Sequence, residues 1–242
     1  MTTPPRGIAF FDVDETLITT KSMFRFLEFF MAAVGRPPAV YAAAIRRLTD
    51  AAHRGVPRRE TNALFYENLA GWNRQDIADI GQAWFNAEMR LGHLFHPPVA
   101  QRLAVHQAQG TPTVLVSGSF SACLDPIGRH VGADEWFGTV PTVDDDRYTG
   151  AVSSVVIGPD KGRIARRLIA SRDVAAEHCW AYGDHASDID LLRSVGRPFV
   201  VGSDPALHTA ARIGGWQALD GISTARPALV PATQIAGPAA SI

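Results

Sequence analysis

The chain has 242 residues, enough for one generous domain or for a core domain with a smaller second one. With 46% hydrophobic and 19% charged residues it has the make-up of a globular protein with a substantial core, and a formal net charge of -1 gives no bulk attraction to nucleic acid or to an anionic membrane. Its lysines and arginines are spread along the chain, whereas a nucleic-acid binder would gather them into a patch.

In chain order, Met1 to Gly7 is short and polar, and the apolar run behind it, Ile8-Ala9-Phe10-Phe11, stops after four residues. A signal-peptide core or a membrane span needs a longer stretch, so the chain is expected to be soluble and cytoplasmic with no membrane partner. The same run reads as a buried parallel strand ending abruptly in acids. From Lys21 to Gln109 no strand is evident. Phe24, Leu27, Phe30 and Met31 recur at helical spacing, as do Ala42, Ile45 and Leu48, and two further helices are predicted over Arg58–Leu69 and Gln75–Leu91. Pro37-Pro38, Gly55-Val56-Pro57 and Gly71 punctuate them. Phe24, Phe26, Phe29 and Phe30 are read as packing within this bundle, not as the lining of a cofactor slot.

Three more apolar runs empty into small or acidic residues: Thr113–Val116 into Ser117-Gly118-Ser119, Cys179–Tyr182 into Gly183-Asp184, and Phe199–Val201 into Gly202-Ser203-Asp204. Together with the first, they predict an α/β sheet with a site along its carboxyl edge. Short β segments are expected from Phe137 to Val156 around the turn at Asp144-Asp145-Asp146-Arg147, followed by a helix over Lys161–Arg172. The Pro-, Ala- and Ser-rich tail from about Ser223 is expected to be disordered. Cys123 and Cys179 lie in apolar surroundings and read as reduced thiols.

The chemistry concentrates in Asp12-Val13-Asp14-Glu15-Thr16, at the tip of the first strand. A carboxylate there can attack phosphorus, and a second one two residues on can protonate a leaving oxygen and later deprotonate water. Neighbouring acids repel a phosphate, so such a site needs a cation, and Mg²⁺ suits carboxylate, carbonyl and phosphate oxygens. Alone, the string equally describes a strand end with solvated acids. Three further features share its chemistry. Ser117 with Gly118 offers a hydroxyl and open backbone N–H groups, Lys161 brings a positive charge to a loop-to-helix junction, and Gly183-Asp184 with Asp188 supplies more acids.

On these motifs, Asp12-Val13-Asp14-Glu15-Thr16-Leu17, Val116-Ser117-Gly118-Ser119-Phe120, Lys161 and Gly183-Asp184 with Asp188, the sequence resembles the haloacid dehalogenase (HAD) superfamily of phosphohydrolases, within its phosphoserine-phosphatase-like branch (subfamily IB). The resemblance spans most of residues 7 to 220. It implies a Rossmann-like parallel-sheet core over 1–20 and 106–222, with a helical-bundle C1-type cap inserted over 21–105 and a tail over 223–242. It implies Asp12 as nucleophile and metal ligand, and Asp14 as general acid/base ligating through its backbone carbonyl. Ser117, Gly118 and Lys161 would hold the phosphoryl group, Lys161 also steadying Asp12, and Asp184 and Asp188 would serve the Mg²⁺. The expected partner is a phosphorylated small-molecule metabolite.

Departures from the branch mark out the substrate. Phosphoserine phosphatases usually carry a glutamate, paired with the substrate's amino group, where this chain has Lys21. A lysine there favours a carboxylate, a second phosphate or a hydroxyl-rich group, which argues against phosphoserine. His185 and Ser187 also replace that branch's usual residues. Arg58 and Arg59 are further candidates for a substrate anion. The alternatives are a phosphotransferase or mutase using the same phospho-aspartate, or phosphoserine phosphatase proper. His93 and His96 lack companions for a zinc site and read as helix-end histidines. No Gly-x-Gly-x-x-Gly follows a strand, which speaks against an NAD enzyme.

Overall fold

The computed structural model describes residues 7–222. The tail expectation for 223–242 lies outside the described residues.

Six parallel strands form one sheet in the order β3-β2-β1-β6-β7-β8. They are β1 (Ala9–Phe11), β2 (Thr113–Val116), β3 (Glu135–Phe137), β6 (Trp180–Gly183), β7 (Arg197–Val201) and β8 (Gln217–Leu219). All four expected strands are present, and β3 and β8 extend the sheet at its two edges. β1 lies centrally between β2 and β6, with Phe11 in register with Leu115 on one side and Tyr182 on the other. The strand order reverses at β1, so the tips of β1, β2 and β6 sit side by side at the topological switch, where ligands of open α/β sheets bind.

The alternation of side chains along each strand explains the layers. Ala9, Phe11, Leu115, Tyr182 and Phe199 point to one face, where they meet Val99 and Leu103 of α5 (Pro97–Ala108) and Leu124 and Ile127 of α6 (Ser121–Val131). On that face Tyr182 stacks between Phe11 and Phe199, at centroid distances of 4.5 and 4.9 Å. Ile8, Phe10, Val114, Val116 and Ala181 point to the other face, against Ala165 and Leu168 of α7 (Pro159–Ser171), Leu191 of α8 (Ile189–Leu192) and Leu207 of α9 (Pro205–Gly214). Burial on both faces accounts for the unbroken apolar runs in the sequence.

Between β1 and β2 the chain builds α1 (Ser22–Ala33), α2 (Pro38–His53), α3 (Arg58–Phe65) and α4 (Arg74–Leu91). The helix expected over Arg58–Leu69 breaks after Phe65 into a 3₁₀ turn, Tyr66–Leu69. Phe26 and Trp84 carry the core of this insertion onto Phe120, at the start of α6. α5 runs across the expected division at position 105, and its buried face is turned to the sheet, where His106 bonds to the Tyr182 hydroxyl at 2.9 Å.

β4 (Val140–Asp144) and β5 (Arg147–Ser154) form a separate antiparallel hairpin. Its two loop residues, Asp145 and Asp146, adopt φ of 46° and 56°, the left-handed pair that a tight hairpin demands and that aspartate tolerates. Among the described residues no helix is long and apolar enough to cross a membrane.

Candidate active site

Asp12 follows the last residue of β1, and its backbone N–H is tied to the Tyr182 carbonyl of β6 at 2.9 Å, which pins the tip of one strand to the next. Asp184 and Asp188 reach the same point from the end of β6. Gly183 makes this possible: a Cβ there would lie 2.5 Å from the Asp188 Cβ, so only glycine lets the chain fold back this closely. The turn is held by reciprocal bonds. The Ser187 N–H donates to His185 Nδ1 at 3.0 Å, and the His185 N–H donates to Asp188 Oδ2 at 3.1 Å.

Lys161, in the first turn of α7, is driven between these acids. Its ammonium donates to Asp12 Oδ1 and to Asp188 Oδ1, both at 2.6 Å, with Lys161 2% and Asp188 0% exposed. Burial pulls the lysine towards neutrality, but the two carboxylates overcome it and hold its pKa above the ordinary value. Thr16 Oγ1 donates to Asp184 Oδ1 at 2.8 Å, so the threonine of the first motif orients an acid from the third strand tip.

Ser117 follows β2, and its Oγ accepts from the Ser119 N–H at 3.1 Å, closing a tight loop. The Ser119 hydroxyl pairs with that of Ser22 at 2.8 Å, joining this loop to the start of α1. Asp14 is half-buried, with its Oδ1 shut off from solvent and free of any hydrogen bond, and desolvation raises its pKa to about 7. Next to it, Glu15 takes φ of 60° and reverses the chain, which brings Lys21 back to within 3.5 Å of the Glu15 carboxylate.

The donor set suits a small, hard cation. Oxygens of Asp12, Asp184 and Asp188 lie within 4.8 Å of one another. Three carboxylates face a single ammonium, and the imbalance shows in Asp184, whose pKa burial and then the charges of Asp12 and Asp188 push up to about 8. Oxygen ligands carrying surplus negative charge match Mg²⁺ better than a softer metal.

The candidate residues therefore converge. Asp12, Asp14, Ser117, Gly118, Lys161, Lys21 and Arg58 all line one cavity of about 450 Å³, with Asp184 and Asp188 behind its floor. Arg59 turns away from the cavity to pair with Asp160, beside Lys161, and with the Val155 carbonyl at 3.4 Å. Asn62, one turn along α3, is a contact that the sequence does not signal. Its Nδ2 donates to the Gly118 carbonyl at 2.9 Å, and its Oδ1 accepts from Thr139 Oγ1 at 3.2 Å. His96 is buried at the N-cap of α5 with Nδ1 3.2 Å from the Thr16 carbonyl, while His93 is exposed; the two do not form a metal pair.

A family model described as haloacid dehalogenase-like hydrolase matches residues 9–193. The chain is 33% identical over 222 residues to the "Inhibition of morphological differentiation protein" of Streptomyces azureus, covering 89% of this chain and 79% of that one. It is also 33% identical over 223 residues to a "Probable phosphatase" of Mycobacterium tuberculosis, covering 88% and 75%. Among solved structures, a phospho-aspartyl intermediate analogue of phosphoserine phosphatase superposes with a TM-score of 0.62 at 19% identity, over 85% of this chain and 91% of that one.

Proposed function

The chain belongs to the haloacid dehalogenase-like hydrolases and is a phosphatase of that family, and from that premise we propose that it hydrolyses a small phosphate monoester through a phospho-aspartate formed on Asp12. The observation that carries this reading is the buried Lys161 clamped between Asp12 and Asp188, at the floor of a cavity that Asp14 also lines.

In this mechanism the free carboxylate oxygen of Asp12 attacks phosphorus as the ester P–O bond breaks. Asp14, kept protonated near neutral pH by its burial, gives its proton to the departing alkoxide. The same group, now a carboxylate, takes a proton from water, and that water attacks the phosphorus to release inorganic phosphate and restore Asp12. Ser117 Oγ, the Gly118 N–H and Lys161 hold the phosphoryl oxygens and offset the charge that gathers on them. Asp12, Asp184, Asp188 and the Asp14 carbonyl would hold Mg²⁺, which would supply the positive charge that lets a phosphate dianion approach these acids.

We assign residues 21–105 the part of a cap that closes over the substrate, with specificity residing in residues such as Lys21 and Arg58. The Lys21 ammonium beside Glu15 gives a substrate ammonium no welcome, in keeping with a substrate other than phosphoserine. The soluble phosphorylated metabolites expected as substrates fit a cytoplasmic enzyme.

Purified protein with Mg²⁺ is expected to hydrolyse p-nitrophenyl phosphate, and Asp12→Asn to abolish turnover while keeping the native circular-dichroism spectrum. Near-normal activity in that variant would mean another nucleophile. EDTA is expected to silence the enzyme and added Mg²⁺ to restore it; turnover indifferent to the chelator would remove the metal from the scheme.

A further inference from the structure

We propose that the alcohol released from the substrate is apolar and larger than serine; this deepens the phosphatase reading and rests on it. The cavity does not end where the phosphoryl group would sit. It continues beneath the helical insertion, and its 450 Å³ falls in the range of roughly 300–1,000 Å³ that encloses drug-sized ligands. The far wall is made by Met23 and Phe24 of α1, Leu48 and Ala52 of α2, Val56, and Phe65 of α3.

The threonine and asparagine side chains set among them have spent their donors on the protein itself. Thr49 Oγ1 turns its one hydrogen on the Ile45 or the Arg46 carbonyl, at 3.1 and 3.0 Å, and Thr61 Oγ1 donates to the Arg58 carbonyl at 3.0 Å. The Asn62 amide is engaged at both ends by Gly118 and Thr139. At the rim the Lys21 ammonium is shared between the Glu15 carboxylate and the face of Phe24, 5.9 Å from the ring centre. Arg58 stands exposed at the rim of the same cavity.

A hydroxylated or zwitterionic alcohol reaching the far wall would exchange its water for apolar side chains and for threonine and asparagine donors already engaged, at a cost for each group stripped. An alkyl or aryl body loses no hydrogen bond and gains from every apolar contact.

The test uses the full chain with Mg²⁺ and primary n-alkyl phosphates from ethyl to hexyl, whose leaving-group acidity is nearly constant along the series. The expected result is a kcat/KM that climbs roughly two- to fourfold per methylene until the chamber fills, with hexyl phosphate far ahead of phosphoserine and glycerol 3-phosphate. Ala52→Glu, at an exposed position where folding is not at stake, is expected to flatten the climb. A flat or falling series, with ethyl and p-nitrophenyl phosphate still hydrolysed, overturns the apolar alcohol and leaves the phosphatase standing. A climb that survives Ala52→Glu puts the apolar contacts elsewhere and overturns it too. Failure to hydrolyse p-nitrophenyl phosphate or any alkyl phosphate fells the phosphatase reading, and this inference with it.

Discussion

At the scale of single residues, the fate of Lys161 measures how tightly the site is wired. Its two 2.6 Å bonds are made out of reach of water, so removing the ammonium leaves two carboxylates stripped of both solvent and partner. Lys161→Met is expected to cost about 3–5 kcal/mol in urea unfolding and to abolish turnover. Lys161→Arg keeps the charge but brings a planar fork into a gap shaped for a point charge; turnover is expected to fall by about 10²–10³, with most of the stability retained. His106 carries a pH prediction. Burial, and secondarily Arg102, lowers its pKa to about 4, against about 6.5 in an unfolded chain. The unfolded state therefore takes up a proton that the folded state refuses, so stability is complete above pH 6.5 and drains away as the pH falls from 6.5 to 4. In His106→Gln the urea midpoint should fall less between pH 7 and 4.5 than in the parent; equal falls would clear His106 of that role. The acids and Lys161 were legible in the sequence because each follows a strand or opens a helix, where chain direction alone brings them to one edge. Asn62 was not, since its partners Gly118 and Thr139 depend on how a separate group of helices settles on that edge.

At the scale of elements, α3 is the clasp between the insertion and the sheet edge. Arg59 holds the start of α7 through Asp160, and Asn62 holds the loop after β2 through Gly118. Asn62→Ala is expected to lower kcat/KM about tenfold, the value of one buried hydrogen bond, mainly through kcat, because Asn62 steadies the Gly118 peptide whose N–H is proposed to hold the phosphoryl group. Asn62→Asp keeps the size and the acceptor for Thr139 but turns a carboxylate on the Gly118 carbonyl, and should be no better; near-normal kcat in either variant would deny the clasp a part in catalysis. α4 meets α6 differently. Pro126 cannot donate to the Ala122 carbonyl one turn earlier. α4 packs against it at Gly81, where a Cβ would lie 2.1 Å from that oxygen. Gly81→Ala is expected to destabilise by about 1–3 kcal/mol in denaturant, despite alanine's better helix propensity. The same proline hid α6 from the sequence reading, and β3 and β8, with three residues each, are too short to show a period.

At the scale of the whole molecule, the four apolar runs were enough to predict a parallel sheet, since burial on both faces leaves that signature, but strand order and the lie of the insertion come from packing between distant parts. The acids of β1 and β6 repel across the centre of this sheet, so metal binding bears on global stability. If the proposed site takes Mg²⁺, the ion at a hundred times its dissociation constant is expected to add about 2.7 kcal/mol, or roughly 5–10 °C in Tm for a chain of this size. Asp184→Asn should lose most of that rise, and a parent protein whose melting ignores Mg²⁺ would contradict the site. The central place of β1 has a bearing on biogenesis. This strand is the first of the sheet to leave the ribosome, yet its neighbours begin at Thr113 and Trp180. Contacts so far apart in sequence form slowly, so the nascent insertion can gather its helices while β1 stays unpaired. Asp12, the proposed nucleophile, is thus made well ahead of Lys161, Asp184 and Asp188, and its site is complete only once β6 has paired with β1.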